Sequence, residues 1–430
     1  MGSGTEGRRS NAARSLVRLL GPGLVTGAAD DDPSGIATYS QAGAQFGYGL
    51  CWTMFLTLPF MAAIQIISAT IGWQTRRGLA HNLAQHVPSA VLYGLVALLV
   101  LANTINIAAD LAAMAEVLRL AIGGPVLAYA AAFGLGCLTA EIFIPYHRYA
   151  GYLKFLTLVL LVYVASAFSV QVPWSRVIAS TLAPVLLPDR DYLLTIVAVF
   201  GTTISPYLFF WQASQEAEES ELSYRNALGN GDLPPDDSFA HISVDTWVGM
   251  VFSNLIAFFI IVTAAATLHV RGITRVETAS QAAEALRPIA GELTFVLFAA
   301  GIIGTGLLAV PVLAGSAAYA VAEAFGLRGS LELPASRALG FYGIVGAATL
   351  GGAALAVTRI DPIAMLFWSA VINGVVAVPI MIAVMLVVSK VRKRGLFALP
   401  AWLVVLGWLA SALMVAAVGV FLVSALKGSS

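Results

Sequence analysis

The chain has 430 residues, of which 59% are hydrophobic and 11% charged, with 23 Lys and Arg against 23 Asp and Glu. Soluble domains carry about 25% charged residues, so this composition excludes an ordinary soluble protein and makes the lipid bilayer the expected partner. The zero net charge leaves no basic excess for phosphate groups, so nucleic acid is not expected to bind. Cys51 and Cys137 both lie in apolar runs, which argues against a disulfide framework or a thiolate metal cluster.

Stretches of about 20 mainly apolar residues, the length that crosses a bilayer, recur along the chain. Eleven such spans are predicted, near residues 15–46, 48–72, 90–121, 124–145, 150–170, 191–216, 244–269, 291–325, 339–357, 361–389 and 398–426. The expected fold class is therefore an all-α membrane protein with eleven transmembrane helices. A polar tail over residues 1–14 precedes a core over residues 15–390, and residues 398–426 form the eleventh helix.

The distribution of basic residues predicts the orientation of these spans. With the N-terminus inside, the inner segments collect 15 of the 23 Lys and Arg residues and the outer segments collect 8. Basic residues are enriched on the cytoplasmic side of membrane proteins, so the sequence predicts a cytoplasmic N-terminus in the inner (plasma) membrane. An odd number of spans then places the C-terminus outside.

The segment 217–243, between the sixth and seventh spans, is polar and net acidic. It contains two pairs of turn-forming residues, Asn230-Gly231 and Pro234-Pro235. We predict an acidic, solvated cytoplasmic loop over this segment. A negative vestibule that raises the local cation concentration is the alternative.

Two of the predicted spans contain helix-breaking residues. In the first span the run Ala29–Gly35 holds three aspartates and Pro33, and in the sixth span the run Gly201–Tyr207 holds hydroxyl side chains and Pro206. Proline removes a backbone donor, and lipid offers no water to satisfy the freed backbone groups. Both breaks are therefore expected to face a polar cavity within the protein.

Each break lies in the first span of a block of five, spans 1–5 and spans 6–10. This spacing is typical of LeuT-like inverted-repeat transporters, in which interrupted helices form the binding site near the middle of the membrane. An interrupted helix frees carbonyl oxygens, and the C-terminal end of a half-helix carries partial negative charge. Such ends favour a cation as the substrate.

The aspartates of the first break are predicted to lie deep in the bilayer. Arg14 and Arg18 mark the cytoplasmic end of the span well before them, and no basic residue follows between Ile36 and Gly49. A charge at the bilayer centre costs about 2.5–3.5 kcal/mol, so an acidic cluster there indicates a partner or a function. The alternative is that residues 30–32 lie at the solvated membrane edge.

Short motifs along the chain resemble the Nramp family of divalent metal transporters, in the same order. The matching segments are Gly21–Val25, Asp32-Pro33, Gly43–Tyr48, Ser205–Tyr207 and Asp245-Thr246 with Asn254. The resemblance extends from Gly21 to the tenth helix. It implies the eleven-helix inverted-repeat fold, divalent cation transport and no enzymatic activity, with the transported metal as substrate and no resident cofactor.

The resemblance also implies positions for the metal ligands, and this chain departs from the family at most of them. Asp32 is kept, whereas Gly35 replaces an Asn ligand, Ser205 a Met ligand and Tyr207 a His. Oxygen ligands without a thioether suit Mg²⁺ or Mn²⁺, and small side chains at Gly35 and Ser205 are expected to enlarge the site for a partly hydrated ion. The pattern resembles the Nramp-related magnesium transporter branch.

The absence of histidine at the sixth-helix positions bears on coupling. Tyr207 and Gln212 stand where the family has two histidines, the side chains best suited to titrate near neutral pH. Transport without proton coupling is therefore expected. A proton-coupled Mn²⁺/Fe²⁺ symporter is the alternative.

Three further residues complete the predicted metal site. They are Thr202, through its carbonyl oxygen, Asp31, which faces either the site or a neighbouring helix, and Asn373 of the tenth span. No obligate protein partner is evident from the sequence.

The third span carries Asn103, Asn106 and Asp110 on one helical face. The resemblance implies an acidic pair on this helix that serves proton movement, and either Asp110 or Glu116, but not both, fits its spacing. The alternative is that these polar side chains satisfy neighbouring broken backbone.

Two other functions are compatible with parts of this sequence pattern. One is an organic-substrate transporter on the same fold, which the three aspartates disfavour because they would repel a substrate carboxylate. The other is an intramembrane aspartyl enzyme, which needs two opposed carboxylates that share a proton. Asp32 and Asp110 are the only plausible pair for such an enzyme.

Overall fold

The computed structural model describes residues 21–144, 157–187, 189–230, 238–356, 358, 360–393 and 399–427. The regular elements in these ranges are helices. Those of nine or more residues are α1 Pro22–Asp30, α2 Pro33–Phe46, α3 Cys51–Thr75, α4 Ser89–Ile122, α5 Val126–Phe143, α6 Leu161–Ser169, α7 Trp174–Leu182, α8 Arg190–Thr203, α9 Pro206–Asn230, α10 Ser238–Thr267, α11 Thr294–Ala324, α12 Leu339–Ala356, α13 Pro362–Lys393 and α14 Ala401–Lys427.

Many of these helices are long and apolar enough to cross a membrane. Nine segments of the described chain meet this condition, and a bent pair, Leu158–Ser169 with Trp174–Leu182 at 113°, raises the number to at most ten. One of the nine, Pro33–Thr75, includes both α2 and α3, which the sequence assigns to separate spans. The predicted count of eleven therefore stays a prediction, while the all-α membrane fold is confirmed.

Both predicted helix breaks are present. α1 ends at Asp30 and α2 begins at Pro33, and α8 ends at Thr203 before α9 begins at Pro206. A proline occupies the first position of each second half-helix, where its missing N–H would have no intrahelical partner. The sequence thus both stops one helix and starts the next within three residues.

The segment 217–243 differs from its prediction, because most of it is helical. α9 continues to Asn230 and α10 begins at Ser238, and the residues between them lie outside the described part of the chain. Glu221 and Arg225 form an i, i+4 ion pair at 2.8 Å that supports the helix. Glu218 accepts a hydrogen bond from Tyr319 Oη at 2.8 Å, so this acidic side chain is bound to α11.

Two groups of helices surround the breaks. α4 packs against α11, α12 and α13, while α10 packs against α1, α2 and α3. The broken helix α1–α2 therefore lies between α10 on one side and the α4–α13 pair on the other. The predicted tail over residues 1–14 lies outside the described residues, as does the start of the fifth span.

Glycines bring the backbones of α1 and α10 into contact. A Cβ atom added to Gly27 would overlap the backbone of Gly249, and one added to Gly249 would overlap the carbonyl oxygen of Gly23. The Asp245 carboxylate, near the start of α10, accepts hydrogen bonds from Gly21 N at 3.0 Å and Gly23 N at 2.6 Å. It thereby satisfies backbone donors at the N-terminus of α1 that have no intrahelical partner.

The close contact of α1 and α10 predicts that one added methyl group at Gly249 destabilises the protein. Gly249→Ala should lower the free energy of unfolding by about 1–3 kcal/mol, because overpacking forces α1 and α10 apart. Thermal unfolding in detergent measures the effect. Gly136→Ala on α5 is the matched control, since no atom lies within 4 Å of the added Cβ. Equal melting temperatures for the two variants would contradict the packing.

Candidate functional site

Asp32 occupies the break between α1 and α2 and is the N-cap residue of α2. Its Oδ1 accepts hydrogen bonds from Ser34 Oγ at 2.6 Å and Gly35 N at 2.8 Å, and its Oδ2 accepts one from Asn106 Nδ2 at 2.9 Å. The residue is 2% exposed. Asp is a preferred N-cap residue, and hydrogen bonds from several donors stabilise a carboxylate anion inside the protein.

The break between α8 and α9 is held by Ser205 and Tyr207. The Ser205 hydroxyl has one hydrogen, which is shared between the carbonyl oxygens of Gly201, at 2.8 Å, and Thr202, at 2.9 Å; the end of α8 leaves both oxygens free. Tyr207 Oη donates to the carbonyl oxygen of Ala29, near the end of α1, at 3.0 Å. This last bond joins the two broken helices directly.

Gly35 lies against the second break. A Cβ atom added there would lie 3.1 Å from Thr202 Oγ1 and 3.3 Å from the Tyr39 ring. The room that a glycine at this position was expected to leave is therefore occupied by Thr202 and Tyr39, and the prediction of an enlarged site beside Gly35 is wrong for this conformation. The breaks are packed together.

Asn106 on α4 connects Asp32 to two other helices. Its Nδ2 donates to Asp32 and, at 3.1 Å, to Asp110 Oδ2, while its Oδ1 accepts from Asn373 Nδ2 of α13 at 3.0 Å. All four side chains are buried. The structure thus brings the predicted residue Asn373 into the Asp32 network through Asn106, a contact that the sequence did not specify.

The two acidic candidates of α4 have different surroundings. Asp110 is buried, and its Oδ1 has no hydrogen-bond partner. Glu116 is paired with Arg119 at 2.6 Å. Of the two, Asp110 is the one that lies near the break. Because the Asn106 amide bonds both carboxylates, Asp32 and Asp110 do not show the directly shared proton that an aspartyl pair requires.

The Asp31 side chain points away from the hydrogen-bond network of Asp32. Its Oδ1 accepts from Ser253 Oγ of α10 at 3.2 Å, so of the two predicted orientations the structure shows the one toward a neighbouring helix. Gln212 also faces α10, where its Nε2 donates to Thr246 Oγ1 at 2.8 Å.

The ligand set at the breaks consists of oxygen atoms. Within the described ranges no group of three or more His, Cys, Asp and Glu side chains is placed to hold a metal ion. A cation at Asp32 would therefore depend on one carboxylate together with hydroxyl, carbonyl and amide oxygens or water. Such a set suits a hard cation that keeps part of its hydration shell.

A cavity of about 680 Å³ opens at the end of the molecule where α2 ends and α8 and α13 begin. Its lining includes Ala37, one and a half turns beyond Asp32, and the charged residues Asp191, Arg275, Glu277 and Asp361. Three carboxylates against one guanidinium give this cavity a negative potential, which concentrates cations.

The chain matches the family model described as Nramp, natural resistance-associated macrophage protein-like, over residues 23–424. The chain belongs to the Nramp family. This protein is accordingly a metal ion transporter and not an enzyme, and it is a multi-pass membrane protein.

Curated relatives of this Nramp protein support the same assignment. The divalent metal cation transporter MntH of Yersinia enterocolitica is 29% identical over 301 residues, 68% of this chain and 70% of the relative. The divalent metal cation transporter MntH of Verminephrobacter eiseniae is 28% identical over 310 residues, 70% of this chain and 67% of the relative.

Solved structures share the fold. The manganese transporter of Eremococcus coleocola is similar with a TM-score of 0.69 at 15% identity, over 96% of this chain and 86% of that one. Mhp1, a nucleobase-cation-symport-1 family transporter, is similar with a TM-score of 0.54 at 12% identity, over 94% of this chain and 92% of that one. These similarities confirm the predicted inverted-repeat transporter fold.

Replacing Asn106 tests whether it positions Asp32. Asn106→Leu leaves Asp32 Oδ2 and the Asn373 amide without their partner, so we expect metal affinity to fall roughly 10–100-fold, as it does when groups that orient metal ligands are removed. Concentration-dependent uptake into proteoliposomes gives the apparent KM. Thr104→Val is the control on the same helix, because Thr104 Oγ1 bonds only the Val100 carbonyl of its own helix. An unchanged KM in Asn106→Leu would remove Asn106 from the site.

Proposed function

We propose that this Nramp-family protein carries Mg²⁺, and also Mn²⁺, across the inner membrane by alternating access, as partly hydrated ions and without coupling to protons. The observation that carries the proposal is the Asp32 carboxylate, buried at the break of α1–α2 and bonded by three donors. The positive-inside pattern supports a cytoplasmic N-terminus and an external C-terminus.

In this proposal Asp32 is the one anionic ligand of the transported ion. Ser205, Tyr207 and the Thr202 carbonyl contribute neutral oxygens from the second break, and Gly35 lets the two breaks approach. Asn373 acts through Asn106 or through water. The proton on Tyr207 Oη already bonds Ala29 O at 3.0 Å, so the phenolic oxygen keeps a lone pair for the ion.

The choice of a hard ion rests on the chemistry of the second break. Ser205 supplies a hydroxyl at the position where the family resemblance implies a thioether, and soft ligands select late transition metals. The names of the relatives, a divalent metal cation transporter and a manganese transporter, agree with a divalent cation. Mn²⁺ and Mg²⁺ both accept all-oxygen coordination.

A proton-coupled Mn²⁺/Fe²⁺ symporter is the second candidate. Asp110, a buried carboxyl group joined to Asp32 through Asn106, is the observation that favours it. His81, outside the membrane-spanning segments, does not contribute, since partial burial and the charge of Arg77 lower the pKa of this imidazole and keep it neutral near pH 7.

A pH probe inside proteoliposomes separates these candidates. Under a Mn²⁺ gradient we expect metal uptake without acidification of the lumen, because Tyr207 and Gln212 stand where the family resemblance implies two histidines that would titrate near neutral pH. A calcein-type metal reporter measures uptake in the same vesicles. Acidification that rises with Mn²⁺ flux and vanishes in Asp110→Asn would establish the symporter.

The central ligand is tested by Asp32→Asn, which keeps the shape of the side chain and removes its charge. We expect Mg²⁺ and Mn²⁺ uptake to fall to the level of empty liposomes, since Asp32 is the one anionic ligand of the ion in this proposal. Glu284→Gln, whose carboxylate pairs with Arg271 and Arg287 away from the breaks, is the matched control. Undiminished flux in Asp32→Asn would refute the assignment.

The ion preference is tested by Ser205→Met, which introduces a soft ligand at the second break. Cd²⁺ should then inhibit Mn²⁺ uptake at a roughly tenfold lower concentration, because thioether sulfur favours soft ions. Val375→Met, on the exposed face of α13, controls for a methionine elsewhere in the protein. Identical Cd²⁺ inhibition in both variants would show that Ser205 does not set the preference.

A further inference from the structure

Two carboxylates beside the helix break are not used by the proposed transport site. Asp30 Oδ2 lies 2.6 Å from Ser253 Oγ of α10, and Asp31 Oδ1 lies 3.2 Å from the same hydroxyl oxygen. Asp30 is 1% exposed and Asp31 is fully buried. Consecutive side chains thus converge on a single hydroxyl group, on the α10 side of the broken helix.

The hydrogen-bond supply at this place is too small for two carboxylates. A serine hydroxyl has one hydrogen to donate, so it serves one of the two carboxylates at a time. Asp30 Oδ1 and Asp31 Oδ2 have no hydrogen-bond partner at all. Asp32, one residue further, accepts from three donors. The protein therefore supplies hydrogen-bond donors to Asp32, whereas Asp30 and Asp31 each keep an acceptor oxygen without a donor.

No positive side chain compensates for these acceptors. Among the residues that the structure describes, the ion pairs of basic side chains involve glutamates at other places, and none reaches Asp30 or Asp31. Burying a carboxylate without a partner costs several kcal/mol. Protonation of the carboxyl groups offsets this cost, and so does a cation bound between them.

The residue next to Ser253 on α10 carries a further buried oxygen without a partner. Asn254 follows Ser253 on α10 and is buried. Its Nδ2 donates to Met61 Sδ of α3 at 2.6 Å, and its amide oxygen has no partner. Carboxylate, hydroxyl and amide oxygens are the ligands of hard cations, and two carboxylates balance the charge of one divalent ion.

We propose that Asp30, Asp31 and Ser253 form a second binding site for a hard divalent cation, separate from Asp32 and located between the helix break and α10. The bound ion fixes the end of α1 to α10. This site stands independently of the transport role of Asp32, since its oxygens face Ser253, whereas those of Asp32 face Ser34, Gly35 and Asn106.

Counting bound Mg²⁺ on the purified full-length protein in detergent tests the proposal. Equilibrium dialysis against MgCl₂ in a Na⁺-free choline buffer, followed by elemental analysis, gives the ions bound per chain. Asp30→Asn/Asp31→Asn should bind one ion fewer than the wild type and keep the ion at Asp32. Asp32→Asn should keep the ion at Ser253. Ser253→Ala, a milder change, should weaken binding of that ion.

Thermal unfolding in the same buffers provides a second readout. Mg²⁺ should raise the melting temperature of the wild type and of Asp32→Asn more than that of Asp30→Asn/Asp31→Asn. Without Mg²⁺ the double variant should be at least as stable as the wild type, because it lacks the two uncompensated carboxylates.

Several results would overturn the second site. They are an unchanged ion count in the double variant, the loss of all bound Mg²⁺ in Asp32→Asn, and protection by Na⁺ but not by Mg²⁺. If Asp32→Asn still transports metal while the double variant loses one bound ion, the transport assignment fails and the second site stands.

Discussion

The structure depends on a buried carboxylate that begins a helix in the interior of the protein. Asp32 interrupts the first helix, satisfies the backbone of Gly35 and receives the amide of Asn106, so a break that lipid would not tolerate is stabilised from within the protein. The same bonds favour the charged form of the carboxylate and hold it in place. The N-cap of a helix and the proposed anionic ligand are thus one and the same group.

Polar side chains of the surrounding helices are hydrogen-bonded to the two breaks and to one another. Tyr207 connects the second break to the carbonyl of Ala29, and Asn106 connects Asp32 to Asn373 on α13. α4, α9 and α13 therefore contact the break through polar side chains, whereas α1 contacts α10 through glycine backbones. A change in the position of either half-helix has to break these bonds or exchange them for others.

Much of this arrangement was predictable from the sequence because it follows from local chemistry. The dipeptides Asp32-Pro33 and Ser205-Pro206 mark where one half-helix ends and the next begins. The loop predicted over the acidic segment is wrong as far as Asn230, because the chain is helical there and Glu218 is bonded to Tyr319 of α11. The helix continues to Asn230, and the turn-forming pairs Asn230-Gly231 and Pro234-Pro235 come only at its end and after it.

The remaining features depend on which helices become neighbours. The spacing of Asn106 and Asp110 indicated a polar face on α4, but only the packing shows that Asn373, 267 residues further along, meets that face. Likewise, a glycine at position 35 indicated space, and only the packing shows that Thr202 occupies it. The sequence allows two orientations for the Asp31 side chain, and the hydrogen bond from Ser253 of α10 shows which one the protein adopts.

Anomalous X-ray diffraction from crystals grown with Mn²⁺ tests the central claim most directly. We expect the transported ion between the two breaks, in direct or one-water contact with the Asp32 carboxylate and near Ser205 and Tyr207. A peak at that place supports it. Fully occupied Mn²⁺ elsewhere in the protein, with Asp32 still bonded only to its present donors and no peak between the breaks, would contradict it.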